Sequence, residues 1–221
     1  MPQSYFVTGT DTGIGKTIVS CALLSAYSAR DNVVIGMKPV VTGRVCGEWA
    51  DVKAIVAASS VAAPREWVNP YAFIPPISPH LAAKEAGIEI DVEVIRQACL
   101  NLQKISDVVV VEGVGGIMVP LNDRNDVADM AYALDLPVIL VVGMRLGCLN
   151  HALITAKIIQ ASGLKLAGWV ANQIDPQMNS FDENLHTLKE RLNCPLLGVL
   201  PFERNVSTKN FSTLLDITKL E

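Results

Sequence analysis

The sequence predicts an α/β fold of the doubly wound kind, a mainly parallel sheet flanked by helices on both faces. Three observations predict it. Short runs rich in β-branched residues alternate with helical stretches along the 221 residues, the pattern of β-α-β units. The runs are apolar at every position rather than at every second one, as strands buried on both faces are. Near the start, one run passes through a glycine- and threonine-rich loop straight into a helix.

In chain order, residues 5–8 form the first strand and feed the loop at 9–17. A helix follows at 16–29, then a strand at 33–37 and a helix at 52–58. The stretch 69–80 carries Pro70, Pro75, Pro76 and Pro79. That density argues against a regular helix or central strand and for an ordered surface loop. Residues 92–105 read as a helix capped by Asp91, followed by a strand at 107–111. A helix at 126–134, a strand at 138–142 and a helix at 149–161 come next, with Gly163 at the last helix's C-terminal end. A strand at 166–171, a helix at 181–192 and a strand at 196–200 complete the set. No repeat or low-complexity tract interrupts the pattern, so one domain is expected over 1–221, with 205–221 of uncertain order.

Composition narrows the functional classes. Half of the residues are hydrophobic and 18% are charged, enough apolar side chain for a core without staples. A net charge of −4 argues against nucleic acid or an anionic membrane as the main partner. The five cysteines are scattered without a C-x-x-C pair, which points to reduced, mostly core residues rather than disulfides or zinc. The first basic residue is Lys16 and no apolar run approaches the length of a membrane span, so a cytoplasmic location is expected.

The loop Gly9-Thr10-Asp11-Thr12-Gly13-Ile14-Gly15-Lys16-Thr17 has the setting of a phosphate-binding loop, between a strand and a helix. Its backbone N–H groups and the helix N-terminus suit phosphate oxygens. Lys16 would reach the β- and γ-phosphates, and the Thr17 hydroxyl would ligate Mg²⁺. The usual spacing wants a glycine where Thr10 stands, and the available Gly9 comes one residue early. The partitioning and septum-placement ATPases carry an extra lysine five residues before the main one. Here that position is Asp11, which counts against a dimer-switched ATPase of that group.

Further charges stand at strand ends. The strand at 33–37 runs into Lys38-Pro39, placing Lys38 at the carboxyl edge of a parallel sheet, where ligands gather. Alone, Lys38 reads more readily as a surface lysine at a strand exit, and Pro39, which fixes the chain direction just after the charge, weakens that reading. The strand at 107–111 ends in Glu112-Gly113-Val114-Gly115-Gly116, an acid where a P-loop enzyme holds its metal, followed by glycines that let backbone approach a ligand. Asp51, just before the helix at 52–58, reads from spacing as an N-cap, with a second metal ligand as the alternative.

Taken together, the motifs resemble the dethiobiotin synthetases. They are Y-F-V-T-G-T-D-T at 5–12, G-K-T at 15–17, G-x-K-P-V at 36–40, V-N-P-Y at 68–71 and S-P-H at 78–80. V-E-G-V-G-G at 111–116, L-G-C-x-N-H-A at 146–152 and G-W-V-A-N at 168–172 extend the match across nearly the whole chain. The resemblance implies an ATP- and Mg²⁺-dependent ligase. CO₂ adds to one amine of 7,8-diaminononanoate, ATP activates the carbamate as a mixed anhydride with phosphate, and the second amine closes a cyclic urea.

It implies catalytic roles for Lys38 and Lys16 and metal ligation by Thr17, Asp51 and Glu112, which moves Asp51 from cap to ligand. It implies ATP contacts from Thr12, Gly13, Ile14, Gly15, Lys16, Thr17 and Ile18 in the loop. Further contacts would come from Glu112, Gly113, Val114 and Gly115, and from Asn172, Gln173, Pro201, Phe202 and Glu203 around the adenine, with Asn205 a further candidate. Thr42 would contact the diamine. Gly147, Cys148, Leu149 and Asn150 would bind its carboxylate tail from the second subunit of a homodimer. Gly13 stands where relatives often carry Glu, and residues 181–192 lack the tyrosine the family can place near that carboxylate. An ATP-driven switch that binds a protein partner is the other reading, and a related amidating enzyme would need a glutaminase domain for which the length leaves no room.

Overall fold

A computed structural model describes residues 3–203 and 211–220. Six parallel strands form the central sheet: β1 (Gln3–Gly9), β2 (Val34–Met37), β5 (Val108–Glu112), β6 (Val138–Met144), β7 (Leu166–Gln173) and β8 (Leu196–Leu200). They lie in the order β2-β5-β1-β6-β7-β8. All six expected strands are present. The order reverses beside β1, whose neighbours are β5 and β6. In such sheets a crevice opens at the carboxyl ends of the strands at that point.

Side-chain parity explains the uniformly apolar strands. On β5, Val109 and Val111 join one core with α5 (Val92–Gln103) and α6 (Val127–Leu134), while Val108 and Val110 join the other against α1 (Lys16–Ser28). Glu112 shares the parity of Val108 and Val110, so it faces α1 at the carboxyl end of the sheet. That places it beside the first turn of α1, where Thr17 sits. A third cluster packs α7 (Cys148–Ala161) and α8 (Phe181–Arg191) against β6 and β7.

The helix ends follow their sequence signals. Asp91 accepts from the Glu93 N–H at 2.8 Å and caps α5. Asp126 is the cap of α6 rather than its first residue, in a reciprocal box with Asp129. Of the cysteines, Cys21, Cys99 and Cys148 are buried and Cys46 is exposed. Among the described residues, no helix is long and apolar enough to cross a membrane.

The proline-rich stretch differs from its expected form. Residues Tyr71–Phe73 make a short strand, β4, which pairs in parallel with β3 (Val40–Thr42) as a separate two-stranded sheet. Pro70 and Pro75 flank this strand and do not interrupt it, so no ladder N–H is lost. Pro79 opens α4 (Pro79–Glu85), because a first-turn residue has no intrahelical N–H bond to forfeit. Between β3 and β4 in the chain lie α2 (Ala50–Ala58) and α3 (Arg65–Val68).

Residues 211–220 also turn out to be built into the core, through buried Phe211, Leu215 and Ile217 beneath α1. Gly198 of β8 makes this possible, since a Cβ there would run into the Leu214 carbonyl oxygen. Gly198→Ala is expected to destabilise the fold by about 1–3 kcal/mol, lowering Tm by roughly 2–4 °C per kcal/mol. Thermal melting with limited proteolysis of the C-terminal end checks this.

Candidate active site

The loop after β1 is fastened from below. Thr10 donates its N–H to the Val141 carbonyl at 3.0 Å, and its hydroxyl accepts the Gly143 N–H at 3.3 Å. Ile14 is buried and anchors the loop in the core. The early glycine has a steric reason: a Cβ on Gly9 would stand 2.7 Å from Ile14 Cδ1 and 3.1 Å from Lys16 Cγ. Gly15 has φ +89° as the residue capping α1, and a Cβ there would collide with the Asn172 carboxamide. That carboxamide donates to the Ile14 carbonyl at 2.8 Å.

Two lysines converge above the sheet. Lys16 is 6% exposed and rests its ammonium on the Asp11 carbonyl at 2.8 Å. Lys38 is 2% exposed; its ammonium lies 2.6 Å from Glu112 Oε1, 2.9 Å from the Gly113 carbonyl and 3.3 Å from Asp51 Oδ2. Burial pulls the Lys38 pKa down, but the Glu112 and Asp51 carboxylates outweigh it and hold Lys38 above the ordinary lysine value. Lys38 thus stands as a cation beside two carboxylates.

Lys16 is the opposite case: burial, then the charge of Lys38, lowers it to about 8. Only its protonated form holds phosphate strongly. ADP affinity, measured without divalent cations, is therefore expected to stay level below pH 8 and to weaken by up to about tenfold per pH unit above it. Lys16→Met is expected to flatten that profile.

Glu112 is 1% exposed, and its Oε1 accepts from both Lys38 and the Thr17 hydroxyl, the latter at 2.8 Å. Its Oε2 is buried without a hydrogen-bond partner among the described residues. A buried carboxylate oxygen left unpaired beside a hydroxyl and a second carboxylate is a set of hard oxygen donors that fits Mg²⁺. Asp51 does not cap α2. Trp49 occupies that position, which puts Asp51 in the first turn with its carboxylate toward Lys38.

These groups open onto a cavity of about 660 Å³. Thr12, Gly13, Gly15, Lys16, Thr17, Ile18, Lys38, Thr42, Asp51, Glu112, Val114 and Gly115 all line it, and Val41, Ile77, Pro79 and Val119 supply an apolar wall that the sequence did not reveal. Asn172 and Gln173 end β7, and Asn172 pairs in register with Leu200. Pro201, Phe202 and Glu203 therefore continue past the end of β7 and do not line this cavity. Asn205 lies outside the described residues. Gly147, Cys148, Leu149 and Asn150 form the start of α7 and do not line this chain's cavity. An ion pair unforeseen in the sequence ties Asp11 to Arg145, after β6, at 2.6 Å.

Residues 3–210 match a family model described as an AAA domain. The chain is 57% identical over 220 residues to the ATP-dependent dethiobiotin synthetase BioD of Nitrosospira multiformis, covering 100% of this chain and 97% of that protein. It is 53% identical over 204 residues to the protein of the same name from Aromatoleum aromaticum, covering 90% and 91%. Among solved structures, it resembles the septum site-determining protein MinD with Mg-ADP from Pyrococcus horikoshii, with a TM-score of 0.61 at 13% identity over 99% and 89% of the two chains. A ParA family ATPase from Chlorobium tepidum gives 0.57 at 12% identity over 100% and 93%. At such identities these two establish the fold alone, the doubly wound, mainly parallel sheet of the P-loop NTPase kind. The near-full-length identity to the synthetases says more: this chain belongs to the ATP-dependent dethiobiotin synthetase family.

Proposed function

We propose that the chain is a dethiobiotin synthase, an ATP-dependent cyclo-ligase of biotin biosynthesis that forms carbon–nitrogen bonds. It would convert 7,8-diaminononanoate, CO₂ and ATP to dethiobiotin, ADP and phosphate. The observation that carries the reading is the buried Lys38 ammonium, fixed within reach of two carboxylates in the same cavity as Lys16 and Thr42. The switch ATPases of the partitioning group carry their second lysine inside the loop, where Asp11 stands here, whereas Lys38 comes from the end of a different strand. A second fixed cation answers the meeting of two anions, carbamate and γ-phosphate, whose repulsion otherwise dominates the barrier.

In this reading Lys16 and the loop N–H groups hold the phosphates. Lys38 holds the carbamate oxygen in line with the γ-phosphorus. Thr17, Asp51 and Glu112 would hold Mg²⁺, which when bound supplies charge neutralisation between the β- and γ-phosphates. The Thr42 hydroxyl positions the diamine, and Val41, Ile77 and Val119 lie against its methylene chain. Closure of the urea needs the second amine near the activated carbonyl carbon, a gain from orientation rather than from acid–base chemistry.

Asn172 and Gln173, with Pro201 to Glu203, wall the adenine. The tail carboxylate falls to Gly147–Asn150 of a second subunit, consistent with their not lining this chain's own cavity. The enzyme is thus read as one α/β domain acting as a cytoplasmic homodimer. Phosphate release in ATP, Mg²⁺ and bicarbonate should depend on the diamine. Release that ignores the diamine would support the switch reading, which no feature of the site favours.

A further inference from the structure

Lys38 stands at an awkward place in the chain. It follows the last residue of β2 and precedes Pro39, which has no N–H to pair, so the sheet ladder does not hold it. The segment around Asn69 holds it instead. Lys38 donates its N–H to the Val68 carbonyl at 2.9 Å, and Tyr71 donates its N–H to the Pro39 carbonyl at 3.0 Å. Between these, the Asn69 carboxamide donates to the Lys38 carbonyl at 2.6 Å and to the Tyr71 carbonyl at 3.1 Å.

The Asn69 amide is 4% exposed and every part of it is used. Its oxygen accepts from the Arg65 guanidinium at 2.8 Å. A flipped amide would set its oxygen against two carbonyls and its nitrogen against a cation, so one orientation is enforced. Arg65 is in turn placed over the Trp49 ring, 5.4 Å from its centre, and Trp49 donates its indole N–H to the Phe73 carbonyl at 3.1 Å. Trp49 is the residue that starts α2, the helix of Asp51. One connected set therefore sits behind both Lys38 and Asp51, and its central member is Asn69.

We infer that Asn69 is a positioning residue for the reaction, its buried carboxamide fixing the backbone from which Lys38 reaches the cavity. The inference rests on the ligase reading above and adds a residue to it. Its leverage is geometric. A tilt of roughly 10° at the Lys38 Cα moves an ammonium about 6 Å away by about 1 Å, an error that costs about 10²-fold in rate. Nucleotide binding, carried by the loop and Lys16, draws nothing from Asn69.

The test compares Asn69→Ala, Asn69→Asp and Arg65→Ala with the unmodified protein, reading kcat for diamine-dependent phosphate release, ADP affinity and thermal midpoint. Asn69→Ala is expected to lower kcat by about 10–100-fold with ADP affinity within about twofold. Asn69→Asp, equal in size but without donors, is expected to do at least as badly. Arg65→Ala should lose about threefold alone and nothing more when added to Asn69→Ala, because both act through one amide. A merely structural role would lower the thermal midpoint without that split or that non-additivity.

Unchanged kcat per folded Asn69→Ala active site, or a fall in ADP affinity that tracks kcat, overturns the inference. Should Asn69→Ala not fold, full activity in Arg65→Ala overturns it. Diamine turnover absent from the unmodified protein overturns the ligase reading and this inference together, whereas normal turnover with indifferent variants overturns this inference alone.

Discussion

Lys38→Ala is expected to lose diamine-dependent turnover by about 10³-fold or more while still binding ADP. The ammonium it removes is buried and within reach of both carboxylates of the site, which hold its pKa above the ordinary lysine value. A preorganised cation in a water-poor site contributes most where charge moves between reactants, and no solvent molecule replaces it at no cost. Folding should survive. The loss strands the Glu112 carboxylate, a defect that costs about 3–5 kcal/mol when a buried charge has no other partner. Here the Thr17 hydroxyl still donates to it and Lys16 is near enough to shift with it. Lys38→Met keeps the volume and separates shape from charge. Circular dichroism and ADP titration establish folding and binding, and near-normal turnover in either variant removes Lys38 from the mechanism.

Gly15→Ala should weaken the earlier step, nucleotide binding, with ADP held about 10²-fold less tightly. Two effects add. At φ +89° a Cβ brings left-handed strain of about 1–2 kcal/mol. It also meets the Asn172 carboxamide, forcing it off the Ile14 carbonyl that it holds at 2.8 Å, a further loss of about 1 kcal/mol. The damage then reaches both the phosphate loop and the end of β7. Gly13→Ala is the control. Its φ of +72° is also left-handed, but a Cβ there meets nothing within 4 Å, so only the strain applies and the loss should be about tenfold or less. Calorimetric titration separates the two; equal losses would mean that Asn172 does not brace the loop.

The sheet was legible in the sequence because strands buried on both faces leave uninterrupted apolar runs, as Val108 to Val111 do. Lys16, Thr17, Lys38 and Glu112 were legible because a glycine loop opening a helix and the carboxyl ends of parallel strands gather at one crevice, and all four line one cavity. What failed did so for local reasons. Asp51 read as a cap because Trp49, a poor cap by residue type, takes that position. The strand Tyr71–Phe73 hid between prolines that flank it without breaking it. Phe211, Leu215 and Ile217 are too few to show a period, although they complete the core under α1. The contacts of Asn69 and the Asp11–Arg145 pair join segments distant in sequence, where no spacing rule reaches.

The central claim is that this site joins carbon from CO₂ to two nitrogens at the expense of ATP. The most direct measurement incubates the protein with ATP, Mg²⁺, 7,8-diaminononanoate and ¹³C-labelled bicarbonate, and follows product mass and phosphate together. The account predicts a cyclic urea carrying the label at its ring carbonyl, formed in equal amount with phosphate. Phosphate without labelled urea, or a diamine recovered unchanged, would contradict it.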